Sequence, residues 1–241
     1  MTEFKDCFAK FWPDARVLDV GCGAGNITAE ISQLVPAGYV LGVDNCFQAV
    51  IQAIQGFPKD GYPNLRFLQA DALKLKLEES PFDFVVSRGC LHFLDHPGRA
   101  FSAIARNLKP GGCMHVWCMG KGNAERINQT LRRMICKPHW QGYFQDFRPG
   151  WSFVTPISCQ PWLQAARFKK NQAFLKTQEH RFPDRWGFLD WLRWNWRGYF
   201  QRVPASEYSH FVEEFLTAYG PSADGSYTAE LVWLAIDATR R

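Results

Sequence analysis

The stretch Val17-Leu18-Asp19-Val20-Gly21-Cys22-Gly23-Ala24-Gly25-Asn26 decides the fold. Val17 to Val20 is an apolar run of strand length. Beyond the glycines, Ile27, Ile31, Leu34 and Val35 recur at helical spacing. Strand, glycine-rich turn and helix make the first crossover unit of a nucleotide-binding α/β sheet. A dinucleotide fingerprint would place a third glycine where Asn26 stands. Asp19 also argues against a pyrophosphate. A carboxylate beside the turn repels phosphate and suits a ligand that carries an ammonium and a sulfonium.

Outward from this turn the alternation continues. Strands are expected at Tyr39–Val43, Leu65–Gln69, Phe82–Ser87 and Cys113–Met119, with amphipathic helices between several of them. The turn Lys109-Pro110-Gly111-Gly112 stops the helix before the fifth strand. Beyond Gly120 the pattern loosens into an aromatic, mostly helical region containing a late strand. A helix over Glu207–Tyr219 and a final strand over Tyr227–Asp237 close the chain. The expected fold is α/β: a doubly wound, mostly parallel Rossmann-like sheet with an antiparallel final strand and a helical, aromatic insertion after strand five. The expected organisation is a single domain, with a core over 1–120, an insertion over 121–202 and a closing segment over 203–241.

Acidic residues follow two further strands. Asp44 ends strand two, where a carboxylate can accept hydrogen bonds from ribose hydroxyls or cap the next helix. Asp71 lies just beyond strand three, and Ser87-Arg88 end strand four, at the strand ends where such sheets bind ligands. Over residues 16–119 these motifs together resemble class I S-adenosylmethionine-dependent methyltransferases. The segment Leu91-His92-Phe93-Leu94-Asp95-His96-Pro97 is similar to that of the small-molecule branch, the trans-aconitate methyltransferases and type 11 relatives. The resemblance implies S-adenosylmethionine as cofactor. Its expected binding residues are Asp19, Gly21, Cys22, Gly23 and Gly25 at the turn, Asp44 and Asn45 at the ribose, Asp71 and Ala72 at the adenine, and Ser87 and Arg88 at the end of strand four. Fifteen residues precede Arg16, so the N-terminal helix that covers the cofactor in this family is expected to be short or absent.

On the acceptor side, His92 either orients or deprotonates the acceptor, or hydrogen-bonds a loop backbone. Arg193 and Arg197 share a helical face with no acid at 189 or 201, so they either meet an anion or form a solvated basic face. Charge is uneven along the chain. Residues 1–120 hold 11 Lys+Arg against 12 Asp+Glu, residues 121–202 hold 15 against 5, and residues 203–241 hold 2 against 6. Seven of the ten tryptophans fall in that basic middle segment. The expected acceptor is therefore a small, anionic organic molecule. The alternatives are a nucleic-acid methyltransferase using the basic aromatic segment, and a cofactor-binding protein without catalysis. The eight cysteines form no Cys-x-x-Cys pair, and no His, Cys, Asp and Glu cluster has ligand spacing, so neither a disulfide framework nor a metal is expected. No apolar run approaches membrane-span length, and a soluble cytoplasmic protein is expected.

Overall fold

The computed structural model of the chain describes residues 4–79 and 81–241. The elements in chain order are β1 (Arg16–Val20), α1 (Asn26–Leu34), β2 (Tyr39–Asp44), α2 (Phe47–Gly56), β3 (Leu65–Gln69), β4 (Phe82–Arg88), α3 (Pro97–Asn107), β5 (Leu108–Met119), α4 (Glu125–Ile135), α5 (Pro138–Gln141), α6 (Pro156–Ala165), β6 (Phe168–Phe182), α7 (Arg185–Asn195), α8 (Arg197–Phe200), α9 (Tyr208–Tyr219) and β7 (Tyr227–Arg240). A short 3₁₀ helix, Phe4–Lys10, precedes them.

The seven strands lie in the order β3-β2-β1-β4-β5-β7-β6. β1 to β5 pair in parallel, and β7 runs antiparallel to β5. The Rossmann-like expectation and its antiparallel late strand both hold. Leu18 at the centre of β1 lies between Leu41 and Val85 of its neighbours, and all three are buried. Central parallel strands are covered on both faces, so they read as unbroken apolar runs. The strand order reverses between β1 and β4. Such switch points open a crevice at the carboxyl ends of the strands, where the Gly21–Gly25 turn lies.

The crossover from β3 to β4 carries no helix among its described residues. Leu75 and Leu77 are buried there, and the Asn107 side chain stitches the segment down. Asn107 donates to the Leu75 carbonyl and accepts from the Leu77 amide, both at 3.2 Å. A side-chain amide thus satisfies backbone groups that a helix would have satisfied internally.

The chain divides into two compact units. One holds residues 1–121, 152–176 and 233–241, and the other holds 122–151 and 177–232. Residues 152–176 group with the sheet and not with 122–151, because α6 docks on α3. Trp162 stacks on Phe101 at 6.1 Å, and a Cβ at Gly98 would come within 2.7 Å of the indole. Ser152 donates to the His92 carbonyl and Lys121 to that of Val154, fastening both ends of the loop before α6.

The second unit has its own aromatic core. Trp140, Phe188, Phe211 and Phe215 are fully buried, and Trp140 meets Phe211 edge-on at 5.0 Å. Trp196 donates its indole N–H to Asn128 Oδ1 at 2.8 Å, which gives a buried polar tip its partner. Asp184 caps α7 by accepting from the Trp186 and Gly187 amides. The helical face expected to carry both Arg193 and Arg197 is interrupted at Trp196, where α7 gives way to α8. Among the described residues, no helix is long and apolar enough to cross a membrane.

Candidate functional site

The turn after β1 is fixed by β2. The Gly21 and Cys22 amides both donate to the Val43 carbonyl, at 2.7 and 3.0 Å. Gly21, Gly23 and Gly25 all have positive φ, but their surroundings differ. A Cβ at Gly21 would lie 2.3 Å from that of Cys90, and one at Gly25 would lie 2.6 Å from the Phe67 ring. Those two glycines are packing requirements. Gly23, at φ +55°, would meet nothing within 4 Å, so its bare face borders open space.

Asp44 joins that turn to the next helix. Its Oδ2 accepts from the Gly23 amide at 2.9 Å, and its Oδ1 accepts from the Cys46 amide at 2.8 Å. The side chain therefore forms an Asx turn leading into α2 and props the glycine turn at once. A carboxylate has about four lone-pair sites, and the two bonds leave capacity on both oxygens. Asn45 is exposed, and its carbonyl accepts from Gln69 at the end of β3. Asp71 follows in an Asx turn, with Oδ1 accepting from the Leu73 amide at 2.9 Å, and Ala72 beside it is buried. The structure thus gathers Cys22, Gly23, Asp44, Asn45 and Asp71 along one end of adjoining strands.

Three candidates point elsewhere. Asp19 is 3 % exposed and takes the Thr28 hydroxyl at 2.7 Å. Burial pushes its carboxyl up to about 7, with the Thr28 bond pulling partly back. It therefore lies beneath the turn rather than in front of it. Ser87 is fully buried and donates to the Val20 carbonyl at 2.7 Å, which ties β4 to β1. His92 is also buried. Its Nδ1 accepts from the Met119 amide at 3.4 Å, and its ring lies 4.0 Å from that of Phe93. The backbone partner of this histidine is the last residue of β5.

Burial lowers the His92 pKa to about 4. The unfolded state binds a proton between pH 6.5 and 4 that the folded state refuses, so this contribution to stability is intact above pH 6.5 and fades as the pH falls toward 4. The shift corresponds to about 3 kcal/mol. Asp19, shifted upward, acts in the opposite direction from pH 4 to 7. The informative quantity is thus the difference between wild type and His92→Gln in urea melts. That difference should change by about 3 kcal/mol between pH 7 and 4. A constant difference would show that His92 is not the buried neutral group described.

Arg88 ends β4 with its side chain exposed. Its guanidinium lies 5.0 Å from the Trp233 ring centroid and 6.0 Å from that of Phe4. It borders a cleft of about 660 Å³ together with Phe4, Lys5, Asp6, Asn26, Ile27 and Glu30. Lys5 in that cleft is paired with Glu30 at 2.6 Å. Among the described residues, Arg88 has no carboxylate partner.

In the second unit, Arg193 and Arg197 do share a cleft, of about 430 Å³, with Trp194, Phe200 and Tyr208. The expectation that Arg193 lacks an acid needs correction. Asp190, three residues earlier, lies 3.5 Å from it, and its guanidinium sits over the Tyr208 ring. The basic character of the segment also dissolves on folding. The unit formed by 122–151 and 177–232 holds ten Lys+Arg and ten Asp+Glu. Arg181 pairs with Asp224, Arg185 with Glu213, and Lys137 with Glu214. Acids from beyond residue 202 neutralise cations from before it, which a running sum along the sequence cannot register. Of the remaining cations, Arg167, Lys169, Lys170 and Lys176 fall in 152–176 with the sheet unit, which carries the chain's net positive charge.

Residues 17–112 match the family described as a methyltransferase domain. A trans-aconitate 2-methyltransferase from Methylobacterium nodulans is 27% identical over 217 residues, covering 88% of this chain and 81% of that protein. Among solved structures, the YcgJ protein of Bacillus subtilis superposes with a TM-score of 0.68 at 19% identity, covering 99% of this chain and 97% of that one. Phosphoethanolamine N-methyltransferase 2 of Haemonchus contortus, solved with S-adenosyl-L-methionine, gives a TM-score of 0.60 at 18% identity, covering 98% of this chain and 50% of that one.

Proposed function

We propose that this chain, similar to methyltransferases over 17–112, is a class I S-adenosylmethionine-dependent methyltransferase that methylates a small organic acceptor bearing a carboxylate, with Arg88 holding that anion. S-adenosylmethionine is the cofactor. The observation that carries its placement is the Asp44 carboxylate, bonded to the Gly23 and Cys46 amides beside the open face of Gly23. These residues fit a ribose-bearing ligand, because the carboxylate is already positioned and still has acceptor capacity. In this proposal Asp44 holds the ribose and Asn45 borders it. Gly23 admits the ligand alongside the backbone, and Asp71 receives the adenine. Asp19 and Ser87 support the turn from behind.

When bound, the cofactor supplies a methyl group on a sulfonium, already activated for in-line displacement. The protein's part is then alignment and exclusion of water more than acid–base chemistry. A carboxylate acceptor needs no general base, and this agrees with a His92 whose Nδ1 is committed to the Met119 amide. The trans-aconitate methyltransferase relative also acts on a polycarboxylate, as its name states.

Arg88 rather than Arg193 is the proposed anion contact. It ends a strand at the ligand edge of the sheet, two aromatic rings hold its guanidinium, and no carboxylate among the described residues neutralises it. An arginine fork suits a carboxylate because it can make two parallel hydrogen bonds. Kinetics with a carboxylate panel led by trans-aconitate, beside cofactor calorimetry, test this. Arg88→Gln should raise the acceptor KM at least tenfold and leave the cofactor Kd within about twofold, since a charged hydrogen bond is worth about 1.5–3 kcal/mol. The double variant Arg193→Gln/Arg197→Gln should behave as wild type. A tenfold loss of cofactor affinity in Arg88→Gln would move Arg88 to the cofactor. A KM effect confined to the double variant would move the anion site to the second unit.

A further inference from the structure

The second unit brings together three side chains that no local spacing connects. His139 lies on α5, Glu207 immediately precedes α9, and His210 lies on its first turn. One ligand atom from each falls within 4.8 Å of the others. Glu207 Oε2 sits between the two imidazoles, 3.1 Å from His139 Nε2 and 3.5 Å from His210 Nδ1. A tetrahedral zinc site with bonds of 2.0–2.1 Å has ligand atoms about 3.3 Å apart along each edge. Both short separations bracket that edge. The third, between the imidazoles, closes by rotation of exposed side chains.

The surroundings are organised as a ligand set requires. Trp140 is fully buried beneath the cluster, its ring 4.4 Å from His139 and 5.2 Å from His210. While His210 Nδ1 faces Glu207, its Nε2 faces Glu214 Oε2 at 4.0 Å. Glu214 is fixed in turn by the Trp140 indole N–H at 2.7 Å and by Lys137 at 2.6 Å. A carboxylate behind the distal nitrogen of a histidine is the usual outer partner of a metal-ligating imidazole, where it sets tautomer and ring orientation. Glu207 Oε2, which faces both imidazoles, is the acceptor that a cation would also use.

We propose that His139, Glu207 and His210 form a zinc-binding clasp, with water as the fourth ligand, joining α5 to the start of α9. A metal held by these three side chains lies above the buried Trp140 without displacing it. The clasp joins segments 68 residues apart. Metal bound to the folded chain alone stabilises the fold by mass action.

The test is calorimetric titration of the full chain with zinc chloride under reducing conditions, paired with thermal unfolding. The expected result is one saturable site per chain and a higher melting temperature with zinc. His139→Ala and His210→Ala should each weaken binding at least tenfold and remove the thermal shift. Glu207→Gln should weaken binding with a melt like wild type in the absence of metal. Because all three side chains are exposed or half-buried, the variants should fold, and their metal-free melts check this. No saturable site overturns the proposal. So does zinc binding that survives both histidine variants, which would place the ion on the free cysteines or other surface groups.

Discussion

Replacing Asp44 with alanine is expected to weaken S-adenosylmethionine binding by about 10- to 100-fold, the equivalent of roughly 1–3 kcal/mol for groups left without their partners. Two effects combine. The proposed ribose contacts are lost, and so are the bonds to the Gly23 and Cys46 amides that shape the turn. Asp44→Asn separates them. One amide oxygen remains an acceptor, but the NH₂ replaces an acceptor with a donor, so one backbone amide meets the wrong group. Its affinity should fall between those of wild type and Asp44→Ala. Calorimetry giving equal affinity for wild type and Asp44→Ala would remove Asp44 from the site.

Gly23→Val is expected to abolish cofactor binding while the sheet stays folded. The positive φ of 55° strains a β-branched residue, at a cost of about 1–2 kcal/mol. Nothing lies within 4 Å of the new Cβ. What it would obstruct is the ligand's approach. Gly21→Val is the useful contrast: its Cβ would collide with Cys90, so this variant should lose stability first. A folded Gly23→Val protein that retains full cofactor affinity would mean that the open face at Gly23 is not the ligand's side.

The sheet was legible in the sequence because its cues are local. Val17–Val20 and Phe82–Ser87 are apolar runs of strand length, and glycine turns or prolines bound them. The positions of the strand-end residues were legible for the same reason, but the directions of their side chains were not. Ser87 stands at a ligand-facing strand end yet donates back to Val20, and Asp19 turns under the glycines to Thr28. What escaped was non-local. Residues 152–176 join the sheet through Trp162 seated over Gly98 and Phe101, a fit between positions some sixty residues apart. The net charge of 121–202 ignored Glu213, Glu214 and Asp224, which fold back onto its cations. The approach of His139 to Glu207 and His210 was hidden in the same way, because those residues meet only once α5 and α9 pack.

The most direct measurement is to incubate the purified chain with methyl-labelled S-adenosylmethionine and a cell extract, then to identify the labelled product. Labelled methyl in a small molecule, released by mild base as expected for a methyl ester, is the predicted result. Label confined to nucleic acid, or held in a small molecule through a base-stable linkage, would contradict the proposed carboxylate acceptor, and no transfer to any component would contradict the assignment of the methyl-transfer site itself.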